Sequence, residues 1–194
     1  MSDKSVQKKK YILETARRVF GEKGYGCVTM KDIVEACGIS RGGLYLYFSS
    51  TKELFLEVLQ LEQLETDDVF EKNIPKEAGP AAILALFLKE QKKELLERNQ
   101  GLSRASYEFL FEHAKEEGEN FMKKQFDSAV LVIQKLIEAG VESGEFYSED
   151  PRRAASNIMY VLEGLKIASL TRGITQAAVD REIMYVMQGL IIED

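Results

Sequence analysis

Residues 40–48 read SRGGLYLYF. The stretch has the apolar spacing of a short helix, yet it carries two adjacent glycines. Each costs roughly 1 kcal/mol relative to alanine inside a helix. At about 100° per residue, Leu44 and Phe48 fall on one side and anchor the helix to a core. Gly42, Gly43 and Leu46 fall on the opposite side, Tyr45 and Tyr47 flank it, and Arg41 sits in the first turn. A face without bulk lets the backbone approach DNA base edges. Leu46 is placed to touch a thymine methyl, and Arg41 to donate to guanine O6 and N7. The tyrosine hydroxyls are placed to donate to phosphates on either wall of the groove. The same pattern also fits a helix pressed against another helix inside an all-α protein.

The neighbouring residues frame this helix. Ile12, Ala16, Val19 and Phe20 form one apolar stripe of a first helix, expected from about Ser5 to Gly24. After a loop at 25–28, Thr29 is an N-cap with Asp32 three residues on. Met30, Ile33, Val34 and Cys37 mark a two-turn helix that Gly38 stops. Ile39 plugs the turn and Ser40 caps the next helix. This is a helix-turn-helix. A fourth helix is expected from Ser50 or Thr51 to about Asn73, then a break at 74–80 with two prolines and a glycine. Further helices are expected at 80–98, 102–113, 117–143, 151–172 and 176–191. The Asp150-Pro151 pair is an N-cap followed by proline at the first helical position. The fold class is therefore all-α, about nine helices: a three-helix head and a helical-bundle body.

Charge divides the chain in the same way. Residues 1–52 hold ten Lys/Arg against five Asp/Glu, a net of +5, and residues 53–194 hold sixteen against twenty-seven, a net of −11. A basic module on an acidic body faces something anionic. The expected domains are a DNA-binding domain at 1–52 and an effector-binding and dimerisation domain at 53–194, connected by the helix at 51–73, with the module boundary at the 74–80 break or along that helix. No apolar run has the length of a membrane span, and the N-terminus has no apolar signal core, so the expected location is the cytoplasm. The two cysteines and one histidine make no zinc-ligand spacing, and no nucleophile–base constellation or phosphate loop occurs. No cofactor, metal or enzymatic activity is expected.

Residues 12–59 resemble the N-terminal domain of the TetR family of bacterial transcriptional regulators. The resemblance lies in the A-x-x-x-F, the K-G-Y loop, the T-M-x-x-I-x-x-x-x-G-I-S run, the L-Y-x-Y-F and the K-E-L that follows. It implies that Thr29, Tyr45 and Tyr47 contact phosphate, and that Arg41, Gly42, Gly43 and Leu46 lie where bases are read. Ser40, at the start of the same helix, is counted with them. The family's lysine three residues after the phenylalanine is replaced here by Thr51, with Lys52 next to it, so either residue is the candidate for that phosphate.

The body supplies two further expectations. In the last two helices, Ile158, Leu162, Leu165 and Ala168, with Val179, Ile183, Val186, Met187 and Leu190, form stripes on helices that are apolar on more than one face. A two-fold dimer buried on these stripes would present two recognition helices about 34–36 Å apart to a near-palindromic operator. In the middle helices, Leu84, Phe87, Leu88, Tyr107, Phe109, Leu110, His113, Phe121, Met122, Phe126, Met159, Tyr160 and Glu163 are candidates to line a pocket for a small apolar or amphipathic effector. The same residues also fit an ordinary core. An effector would act by tilting the fourth helix and so changing the spacing of the recognition helices. The partners expected are double-stranded DNA, a second copy of the chain and that effector. The alternative is a helical adaptor that keeps the fold without operator binding.

Overall fold

The structure, a computed structural model, describes residues 3–97, 102–114 and 121–190, without the side chains of Phe121 and Met122. These residues form α1 (Asp3–Lys23), α2 (Met30–Cys37), α3 (Arg41–Tyr45), α4 (Thr51–Asn73), α5 (Pro80–Leu96), α6 (Ser103–His113), α7 (Phe121–Glu142), α8 (Pro151–Arg172) and α9 (Gln176–Gln188). No strand occurs among them. Two compact units result. One holds α1 to α3, α4 as far as Lys72, and α6; the other holds α5 and α7 to α9.

In the first unit α1 buries Ile12, Leu13, Ala16, Val19 and Phe20, the stripe its spacing predicts. α4 answers with Leu54, Phe55, Val58 and Leu59. This packing is why contacts place most of α4 with the head, whereas charge divides the chain at 52/53. Phe55 meets the rings of Phe20 and Tyr25 at 4.7 and 5.0 Å, and Phe109 of α6 closes the cluster at 5.3 Å from Phe55. Such aromatic pairs add about 0.5–1.5 kcal/mol each beyond their buried area.

The place of α6 divides the expected pocket lining. Phe109 is buried in the head, and the His113 ring stacks on it at 4.3 Å and faces Tyr25 at 5.5 Å. Tyr107 and Leu110 lie half-buried on the same helix. Leu84, Phe87, Leu88, Phe126, Met159, Tyr160 and Glu163 belong to the other unit. There Leu84 and Leu88 are fully interior, with Phe87, Phe126 and Met159 packed around the same core. Tyr160 is mainly solvent-exposed, its ring 5.0 Å from that of Phe126. Partial burial pushes the Glu163 carboxyl above its ordinary pKa. The side chains of Phe121 and Met122 lie outside the described residues. Spacing finds apolar faces, but it does not say which neighbour each face meets.

The second unit is built on α7 and α8, with Ile137, Ile158, Leu162 and Leu190 at its centre. Phe146 folds back onto α7 so closely that a Cβ on Gly140 would stand 2.1 Å from its ring. The Tyr147 N–H donates to the Leu190 carbonyl at 2.9 Å and ties this loop to the end of α9. Gly79 offers α5 no side-chain cap, and the Glu145 carboxylate accepts the Ala81 N–H instead. Asp150 caps α8 by accepting the Arg153 N–H at 3.0 Å, with Pro151 in the first turn as expected.

The stripes expected to meet a second subunit are covered within the chain. Ile158, Leu162, Leu165, Ala168, Val179 and Leu190 are buried, and Ile183, Val186 and Met187 pack half-buried against the same cores. The strongest apolar stripe of each helix turns to its own body. The large apolar residues left exposed on these two helices are Tyr160 on α8 and Met184 and Tyr185 on α9, at 65%, 48% and 58%.

Candidate nucleic-acid interface

The α2–α3 pair is held by three successive caps. At the first, Thr29 Oγ1 accepts the Asp32 N–H while the Asp32 carboxylate accepts the Thr29 N–H, a reciprocal capping box. The Thr29 hydroxyl also donates to Asp32, and Lys23 donates to the other carboxylate oxygen at 2.6 Å. At the second, Gly38 takes φ 62°, the left-handed turn that glycine adopts without strain, and Ile39 N–H returns to the Val34 carbonyl. At the third, Ser40 Oγ accepts the Gly43 N–H at 3.1 Å. Ser40 and Thr29 thus act first as caps.

These caps give α2 a titratable support. The hydrogen bonds from Lys23 and Thr29 hold the Asp32 carboxyl far below the ordinary value of 3.8. A depressed folded-state value means that the stabilisation is complete above 3.8 and decays as pH falls below it. Asp32→Asn is therefore expected to be less stable than the parent chain near neutrality. Urea unfolding should show this gap narrowing by pH 3, and a gap independent of pH would contradict the assignment.

α3 has one anchored side and one exposed side, with Gly43, expected on the open face, half-buried beside Ser40 and Lys8. Leu44 and Phe48 are fully buried, whereas Leu46 is 83% exposed, with Arg41, Gly42 and Tyr45 also on the surface. A Cβ built on Gly42 meets nothing within 4 Å. The Arg41 guanidinium lies 5.4 Å from the Tyr45 ring centroid, a stacking that orders it on the exposed face. Tyr47 is half-buried, its hydroxyl 3.3 Å from Ser5 Oγ on α1. Next, Ser50 Oγ accepts the Glu53 N–H at 3.1 Å, and the Glu53 carboxylate accepts the Ser49 N–H. Thr51 and Lys52, the two candidates for one phosphate, lie half-buried in the first turn of α4.

Two features were not readable in the sequence. Glu108 of α6 accepts the Gly26 N–H at 3.2 Å, fastening α6 to the loop before Thr29. Two basic residues of the head are also met by acids of α4, which lie on the acidic side of the charge count. Lys9 pairs with Glu57 at 2.7 Å, and Arg17 with both Glu62 and Glu65. The i, i+4 spacing of Lys10 with Glu14, Arg18 with Glu22 and Lys31 with Glu35 does announce their pairing. No group of His, Cys, Asp and Glu able to hold a metal occurs among the described residues, and no described helix is long and apolar enough to cross a membrane.

Comparison with known proteins agrees with this geometry. A family model for bacterial regulatory proteins of the tetR family matches residues 12–58, and one for the tetracyclin repressor-like C-terminal domain matches residues 83–180. An uncharacterized HTH-type transcriptional regulator of Bacillus subtilis, YfiR, is 35% identical over 141 residues, 72% of this chain and 68% of its own length. The transcriptional repressor AcnR of Corynebacterium glutamicum is 35% identical over 71 residues, 37% of this chain and 38% of its own. Among solved structures, the complex of SmeT with triclosan superposes with a TM-score of 0.74 over 96% of this chain and 93% of that one. At 16% identity that likeness is one of fold.

Proposed function

This chain belongs to the TetR family of DNA-binding transcriptional regulators, and from that premise we propose that it is a homodimeric repressor, released from a near-palindromic operator by a small, largely apolar effector. The observation that carries the DNA contact is the outward side of α3. Arg41, Gly42 and Leu46 are exposed on a short helix anchored from behind by Leu44 and Phe48. Arg41 reads a guanine, Leu46 a thymine methyl, and Tyr45 and Tyr47 bind the flanking phosphates. Thr29 and Thr51 or Lys52 complete the backbone contacts, Thr29 by turning its hydroxyl from Asp32 to a phosphate oxygen.

Dimerisation is assigned to the residues that the fold leaves uncovered on α8 and α9, Tyr160, Met184 and Tyr185, rather than to the buried stripes. A symmetric pair matches the two half-sites of a palindrome. AcnR, a repressor by name, supports repression. The triclosan-bound structure of the same fold supports an apolar effector. The effector acts by binding one arrangement of the dimer better than the other, with α4 carrying the change into the head.

Selection of bound duplexes from a random pool tests the proposal. A short near-palindrome is expected, and Tyr47→Ala, which removes one phosphate contact and the hydroxyl beside Ser5, should bind it at least tenfold more weakly. If a folded dimer enriches no sequence, the adaptor reading replaces this one.

A further inference from the structure

The first turns of α1 bury nothing: Ile12 is the first buried residue of a helix that begins at Asp3. A helical segment without an apolar face needs another tie, and this one has two. Ser5 Oγ meets the Tyr47 hydroxyl at 3.3 Å, and the Lys9 ammonium sits 2.7 Å from the Glu57 carboxylate and 5.5 Å from the Phe48 ring centroid. Both lead to the end of the recognition helix. They lay the opening of α1 along α3, where the Lys8 ammonium comes within 3.8 Å of the place a Cβ on Gly43 would take.

The charges of this segment are divided. Lys9, Lys10, Arg17 and Arg18 are each paired with a glutamate of the head. Lys4 and Lys8 pair with no carboxylate among the described residues, and both are exposed. Four residues apart, they stand on one face about 6 Å apart along the axis. Two like charges at that spacing repel each other, which an anion bound between or beside them would offset.

We infer that Lys4 and Lys8 are a second set of phosphate contacts, binding the DNA backbone beside the groove that α3 enters. The helix opening at Asp3 is thus part of the DNA interface, and the Ser5–Tyr47 contact holds it in register with the recognition helix. The inference rests on the DNA-binding reading above and adds to it a contact outside the helix-turn-helix. Ammonium groups on phosphates carry little sequence information, so these two lysines contribute affinity on any duplex and leave base choice to α3.

The test compares three full-length proteins on the selected operator and on an unrelated duplex: the parent, Lys4→Ala/Lys8→Ala, and Lys10→Ala/Arg18→Ala. The last removes the same charge from the same helix but takes it from ion pairs. Affinity is followed from 50 to 200 mM salt. Losing two phosphate contacts should flatten the slope of log affinity against log salt by about 1.8, so that the parent loses about tenfold more affinity than the variant over the fourfold rise in salt and the gap between them narrows. This is expected on both duplexes, with the Lys10/Arg18 protein keeping the parent slope. An unchanged slope for Lys4→Ala/Lys8→Ala overturns the inference, as does a loss confined to the operator, which would mean base reading. A parent chain that binds neither duplex overturns the DNA-binding reading, and this inference with it.

Discussion

Phe55→Ala is expected to destabilise the head by about 3–5 kcal/mol, the usual cost of removing a buried phenylalanine ring. Phe55 is fully buried and its ring stands within 5.3 Å of the ring centroids of Phe20, Tyr25 and Phe109. It therefore joins α1, the loop before α2, α4 and α6. Whole domains are stable by only about 5–15 kcal/mol, so the loss takes a large share of the margin. α2 and α3 have little core of their own: Ile33 and Cys37 on one, Leu44 on the other. They hold their place because α1 packs against α2, and Phe55 of α4 fixes α1 through Phe20. Operator binding should fail at a lower temperature in Phe55→Ala, in step with loss of helical signal. The control is Phe111→Ala on α6, whose ring is 70% exposed and whose loss should stay within about 0.5 kcal/mol. Equal melting of Phe55→Ala and the parent would contradict this account of how the head is held.

What could be read in advance was whatever short range decides. The Thr29–Asp32 box, the Gly38 turn, the Ser40 cap and the Asp150-Pro151 start of α8 each act across a few residues. Each appears where the spacing places it. The buried pair Leu44 and Phe48 follows from helical periodicity alone. What periodicity does not carry is the identity of the partner. The aromatics of 102–113 fit pocket lining and ordinary core alike, and spacing does not choose: Phe109 finds Tyr25 and Phe55, far off in the chain. The stripes of α8 and α9 read as a dimer face because both helices are apolar on more than one face, and the fold turns Ile158, Leu162 and Val179 to the chain's own core while Tyr160, Met184 and Tyr185 stay exposed. Net charge along the chain does not show which charges pair, for the same reason. Glu57, Glu62 and Glu65 count toward an acidic body, but in the fold they neutralise Lys9 and Arg17 of the head. Among the described residues of the head, Lys4, Lys8 and Arg41 pair with no carboxylate, and Lys8 and Arg41 lie at α3.

Gly42→Ala separates folding from DNA reading more sharply than any core substitution. Gly42 is not among the glycines with positive φ, and a Cβ there meets nothing within 4 Å. Alanine should then stabilise the chain by about 0.4–1 kcal/mol, because the unfolded state loses freedom and the helix gains propensity. Gly43→Ala is less clean, since its Cβ would stand 3.1 Å from the Ser40 hydroxyl that caps α3. If Gly42 is bare so that the backbone can lie against base edges, the added methyl holds α3 away from them and weakens every contact beside it. Those contacts are worth roughly 1–3 kcal/mol each in discrimination, so operator affinity should fall at least tenfold while the melting temperature rises. Binding to unrelated duplexes, which rests on phosphates, should change far less. A stabilised protein with undiminished operator affinity would mean that the paired glycines serve some other neighbour. A destabilised one would mean that the space seen beside Gly42 is occupied in solution.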